Sequence, residues 1–110
     1  MNQLSAYRIM WLQVIFDLPV GTPSQRKQAT GFRNHLLDLG FEMEQFSVYF
    51  RFCADKSFAD GIIAKVEREL PSNGSVKLLT FTDRQYESIR SFQGPKRDKS
   101  RSNPAQLVLF

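Results

Sequence analysis

Between Met10 and Phe16 only Gln13 interrupts an apolar run, and the run ends at once in Asp17-Leu18-Pro19, with Gly21 close behind. A membrane span takes about 20 apolar residues, so this run is far too short for one. It is also too continuous for the one-sided alternation of a strand with a wet face. Such a run predicts a central strand covered on both faces, stopped by the Pro-fixed turn and the glycine. The rest of the chain has to be organised around it.

A helix start follows directly. In Thr22-Pro23-Ser24-Gln25 the threonine caps, proline suits the first helical position, and Gln25 closes a capping box by reaching back to the Thr22 amide. Ala29, Phe32, Leu36 and Leu39 then share one helical face, and Gly40 stops the helix. Gly31 inside the helix costs about 0.5–1 kcal/mol relative to Ala, which predicts close packing there.

From Phe41 to Phe52 the apolar positions change phase, from Phe41 and Met43 to Phe46, Val48, Phe50 and Phe52. A shift of one residue means a bulge or a tight reversal near Glu44-Gln45, hence two short strands or one broken strand. Asp55 or Ser57 starts a second helix with Ala59, Ile62, Ile63, Val66 and Leu70 as its stripe and Pro71 at its end. Asn73-Gly74 turns the chain into a strand over 76–81. Asp83 caps one short helical turn, and Ser88 to Phe92 closes the body as a further strand.

Strand, helix, strand pair, helix, strand is the ferredoxin-like βαββαβ order, an α+β fold with helices on one face of a mostly antiparallel sheet. The other face needs a cover. In a chain of 110 residues with ten Phe, a second copy is the simplest cover, because most homo-oligomers are two-fold dimers. The expected organisation is a body over 1–93 and a tail over 94–110. The tail comprises a basic segment and a short C-terminal strand, Leu107-Val108-Leu109-Phe110.

Charge is unevenly placed. The net +4 owes three charges to the segment from Gly94 to Pro104, where Lys96, Arg97, Lys99 and Arg101 face only Asp98. That segment reads either as a solvated linker or as a phosphate contact. One cysteine, Cys53, and one histidine, His35, exclude a disulfide framework and the Cys/His zinc patterns. With no signal-peptide pattern at the N-terminus, a reducing, cytoplasmic setting is expected.

Asp17 is the sharpest chemical feature. It reads either as an Asx-type turn residue bonded to local amides or as a Mg²⁺ ligand, since Mg²⁺ prefers oxygen and needs only one or two carboxylates. His35 reads as a surface or packing residue, Cys53 as an inert buried thiol, and Ser47 has no triad partner. Arg26, Lys27 and Arg33 belong to a solvated helix face unless they lie near Asp17, where they would contact phosphate.

Taken in order, several segments resemble the Cas-two family, the small CRISPR-associated proteins of spacer acquisition, in the form found beside type II effector nucleases. They are Phe16-Asp17-Leu18-Pro19, the Arg26-Lys27 helix, Gly40-Phe41 leading into Gln45-Phe46-Ser47-Val48-Tyr49, and the closing Gln106-Leu107-Val108-Leu109-Phe110. The similarity covers residues 7 to 110. It implies a ferredoxin-like homodimer in which Asp17 approaches its two-fold mate, shares Mg²⁺ and serves metal-assisted phosphodiester hydrolysis, of single-stranded RNA or of DNA. Arg26, Lys27 and Arg33 would then position phosphates.

The resemblance implies a second role as well, in which the dimer bridges two dimers of the larger CRISPR integrase and holds duplex DNA. Leu107, Val108, Leu109 and Phe110 would add to a sheet edge of the sister chain or the integrase, while Lys96, Arg97, Lys99 and Arg101 track the DNA backbone. A ferredoxin-like regulatory or toxin-type RNA-binding dimer unrelated to CRISPR is the remaining alternative.

Overall fold

A computed structural model describes residues 10–94. The expected basic segment with Lys96, Arg97, Lys99 and Arg101, and the expected strand Leu107 to Phe110, lie outside the described residues. The described elements are β1 (Met10–Asp17), α1 (Pro23–Asp38), β2 (Glu42–Gln45), β3 (Val48–Cys53), α2 (Lys56–Arg68), β4 (Ser75–Thr82) and a short α3 (Asp83–Glu87). The four strands form one sheet in the order β2-β3-β1-β4, with every neighbouring pair antiparallel. This is the split βαβ topology of the ferredoxin-like fold.

Local chemistry sets the element ends. Thr22 Oγ1 accepts from the Gln25 amide at 3.1 Å, and Gln25 Oε1 accepts from the Thr22 amide at 3.1 Å, so the capping box is closed at both sides. Gly40, at φ +90°, ends α1 in the left-handed region that glycine enters without strain. Here Arg51 takes over the capping, since its Nε donates to the Leu39 carbonyl at 3.1 Å and its guanidinium lies 5.0 Å from the Phe58 ring centre. Asp55 caps α2 by accepting from the Phe58 amide at 2.8 Å.

The core lies between the sheet and the two long helices. Leu12, Val14 and Phe16 of β1 pack with Phe32 and Leu36 of α1 and with Ala59, Ile62 and Val66 of α2. Each large apolar side chain buried there contributes about 1.5–3 kcal/mol by removal from water. Tyr49 stacks on Phe16 at a ring separation of 5.7 Å, tying β3 into the same layer.

Several expectations are corrected. β1 is central, yet among the described residues only one of its faces is fully covered: Leu12 and Val14 are wholly buried while Ile15 is 36% exposed. The phase change after Phe41, by contrast, is as expected: a register shift between Met43 and Gln45 together with a tight reversal into β3, with Ser47 at φ +66°. Residues 88–92 are not a strand: α3 ends at Glu87, and the chain then passes over the uncovered sheet face without joining a ladder. Thr82 rather than Asp83 caps α3, through a second capping box with Gln85. α2 stops at Arg68, short of Pro71, which leaves Leu70 exposed. A Cβ at Gly31 would meet nothing within 4 Å, so close packing does not explain that glycine.

Candidate functional site

Alternation along β1 sends Leu12, Val14 and Phe16 to the helices and Trp11, Gln13, Ile15 and Asp17 to the opposite face. The ladders extend this face across Val48, Phe50 and Phe52 of β3 and Ser75, Lys77, Leu79 and Phe81 of β4. No helix of the core covers it.

One half of the face is closed by α3. Trp11 Nε1 donates to Asp83 Oδ1 at 2.8 Å, Tyr86 stacks flat on Trp11 with ring centres 3.8 Å apart, and Phe50 meets Tyr86 edge-on at 5.2 Å. These rings form a second, smaller core that fixes α3 to the sheet. Burial, followed by the nearby Glu44 and Glu42 carboxylates, pushes the Tyr86 phenol above its ordinary pKa. The other half stays open as a groove of about 540 Å³. Gln13, Ile15 and Val48 lie along it, between Glu44 and Gln45 on the β2 side and the segment with Arg90 and Phe92 after α3.

Asp17 is the last residue of β1 and stands on the same face as Gln13 and Ile15. On one side it is in register with Ser75 of β4; on the other, the preceding Phe16 amide donates to the Ser47 carbonyl at 3.0 Å. Its carboxylate is exposed and takes no hydrogen bond or ion pair among the described residues. The Asx-type turn read as one alternative is therefore not formed. Exposed carboxylate oxygens free of partners suit a hard cation such as Mg²⁺. Among the described residues, however, no group of three or more His, Cys, Asp or Glu is placed to hold a metal, and Asp17 stands apart from any such group.

The expected phosphate-positioning cations are not gathered around Asp17. Arg26 bends back to donate from Nη1 to the Val20 carbonyl at 3.1 Å, which keeps it at the loop that follows Asp17. Arg33, seven residues later, lies on the same side of α1 as Arg26, with Lys27 beside that row. All three are exposed, and α1 packs on the sheet face opposite the Asp17 carboxylate.

His35 has the packing role read for it: its Nε2 donates to the Lys65 carbonyl at 3.0 Å, joining α1 to α2. Cys53 is buried, and that burial pushes its thiol up in pKa and leaves it inert. The Ser47 hydroxyl is buried without a hydrogen-bond partner among the described residues. Sequence reasoning missed Lys77 and Ser75. The alternation of β4 separates Lys77 from Val76 and Leu78, but only the register shows that it stands near Asp17.

A model of the family described as CRISPR associated protein Cas2 matches residues 10–89, which takes in every element from β1 to α3. The chain belongs to the Cas2 family. A Cas2 protein of Paracidovorax avenae, named a CRISPR-associated endoribonuclease, is 51% identical over 97% of this chain and 99% of its own length. Cas2 proteins with the same name from Flavobacterium psychrophilum and Parvibaculum lavamentivorans are 40% and 42% identical, over 99% and 92% of this chain and 95% and 100% of their own lengths. A crystal structure of Cas2 shares the fold, with a TM-score of 0.54 over 84% of this chain and 92% of that one at 20% identity. No helix among the described residues of this Cas2 chain is long and apolar enough to cross a membrane.

Proposed function

We propose that this Cas2 protein is a CRISPR-associated, Mg²⁺-dependent endoribonuclease that works as a two-fold dimer, with Asp17 of each chain as its metal ligand. One observation carries the reading: the unpartnered Asp17 carboxylate shares a sheet face with Gln13 and Ile15, in the half that α3 leaves open. A second copy seated over the groove there, on the β3 side of β1, buries Ile15 and Val48. Because two-fold contacts are self-complementary, it also brings Asp17 toward its mate. Two facing carboxylates repel each other, and a divalent cation between them removes the repulsion. When bound, Mg²⁺ supplies an activated water and charge stabilisation at the phosphate. The protein's own contribution is to hold the two carboxylates at fixed strand ends, while Arg26, Lys27 and Arg33 present positive charge that steers the RNA backbone.

A bridging role in spacer integration is the second reading, favoured by the two sheet edges. β2 and β4 each keep one side unpaired among the described residues, and such edges accept an added strand from Leu107 to Phe110 of a sister chain or from the larger integrase. Duplex DNA would be tracked by Lys96, Arg97, Lys99 and Arg101. Family membership sets aside the alternative of a dimer unrelated to CRISPR.

The test is cleavage of single-stranded RNA with Mg²⁺ and with chelator, for the wild type, Asp17→Asn and Ile15→Asp. Asp17→Asn is expected to keep the dimer and lose cleavage. Ile15→Asp is expected to lose both, since it places a charge in the apolar half-face. Cleavage by Asp17→Asn at the wild-type rate would remove the nuclease reading. A deletion of 105–110 that still integrates spacers at full strength would remove the bridging one.

A further inference from the structure

The register of β1 and β4 places Asp17 opposite Ser75 and Ile15 opposite Lys77, so Lys77 is the diagonal neighbour of Asp17 on the open face. Diagonal neighbours across an antiparallel pair lie about 7–8 Å apart. Both side chains are exposed, and neither forms an ion pair or side-chain hydrogen bond among the described residues. The other residues that the strands put on this face are aromatic, aliphatic, amide, hydroxyl or acidic, which makes Lys77 the strands' only cation there among the described residues. Arg51, the basic residue of β3, faces the helices and is committed to the Leu39 and Phe52 carbonyls.

This end of the ladder is also held in place. Gly74 packs directly on the backbone of Asp17 and Leu18, which seats the start of β4 against the end of β1. Lys77 carries an ammonium group on a flexible four-carbon stem, on the same face as the unpaired Asp17 carboxylate and one cross-strand diagonal from it. Its three N–H donors suit the non-bridging oxygens of a phosphodiester, as a point charge that needs no particular ring or base.

We propose that Lys77 binds the phosphate of the RNA strand on which Asp17 acts. The assignment rests on the reading of Asp17 as the cleavage site and deepens it, by adding from β4 the cation that α1 does not deliver to this face. An edge-strand lysine also serves as a guard against strand addition, and a lysine near two carboxylates also serves to neutralise them. These roles give different results below.

Binding of a single-stranded RNA oligonucleotide is measured against salt in the Asp17→Asn background, with Lys77 intact and with Lys77→Gln or Lys77→Arg. Steady-state cleavage is measured in the same Lys77 variants with Asp17 intact, and urea unfolding controls for fold. Lys77→Gln is expected to flatten the log–log salt dependence by about 0.7, the share of one phosphate in single-stranded nucleic acid. KM should rise about tenfold, as for loss of one charge-assisted hydrogen bond, with a smaller effect on kcat. Lys77→Arg should restore both. An unchanged slope and KM overturn the proposal. So does an unchanged slope accompanied by altered dimer affinity, which makes Lys77 a neutraliser of the Asp17 pair, or by aggregation, which makes it an edge guard. If Asp17→Asn alone cleaves like the wild type, the cleavage-site reading fails, whatever the Lys77 slope shows.

Discussion

Gly74 stands so close to Asp17 that no side chain fits between them. A Cβ on Gly74 would lie 2.7 Å from the Asp17 carbonyl oxygen and 2.8 Å from Leu18 Cδ2, and the residue sits at φ +92°. Gly74→Ala therefore meets two costs: left-handed backbone at about 1–2 kcal/mol and a clash with backbone that cannot rotate away, worth about 1–3 kcal/mol. A loss of about 2 kcal/mol or more in urea unfolding is expected, together with weakened cleavage, because the strand end that carries Asp17 has to shift. A Gly74→Ala protein with the wild-type urea midpoint would show that the turn is free to move.

The turn was legible in the sequence as Asn73-Gly74, but its contact with Asp17 was not. Signals that act within a few residues were read correctly, among them the Thr22 and Gln25 capping box, the Gly40 stop and the phase change after Phe41. The second Thr-x-x-Gln box, Thr82 to Gln85, carried the same signal and was passed over in favour of Asp83. What failed depended on partners distant in sequence. The run from Met10 to Phe16 suggested two covered faces because its open half is apolar; Ile15 reads as core when nothing indicates that α3 covers only the Trp11 end. Residues 88–92 were expected as a closing strand, but β2 and β4 occupy the sheet edges, and the segment lines the groove on the open face instead. Asp17 could be singled out from its turn, whereas Lys77 needed the β1–β4 register.

Gly31 offers the opposite case to Gly74. It lies within α1, where a Cβ would touch nothing within 4 Å and the backbone is helical. Replacing it by alanine removes unfolded-chain freedom without a clash, so Gly31→Ala is expected to stabilise the protein by about 0.5–1 kcal/mol. The urea midpoint should rise with an unchanged slope. A fall in the midpoint would mean that the α1 surface at Gly31 meets something beyond the described residues.

The Trp11–Tyr86 stack gives the protein a built-in reporter on α3, because Trp11 is the single tryptophan of the chain. Burial first, and the Glu44 and Glu42 carboxylates next, raise the Tyr86 pKa above its ordinary 10.0. The fold thus favours the neutral phenol. Its contribution to stability is complete below pH 10.0 and is lost as pH climbs through the higher folded-state pKa, since the unfolded chain releases that proton first. Alkaline titration should show Tyr86 ionising late by absorbance at about 295 nm, with Trp11 fluorescence falling in the same step as the tyrosinate quenches its stacked neighbour. In Tyr86→Phe this step should vanish, and stability should lose the part of its alkaline decline that begins above pH 10.0. If the Trp11 step instead comes at or below 10.0, the phenol is not held by the sheet. The contact that confines the open half-face to the Asp17 end would then have to come from Asp83 and Phe50 alone.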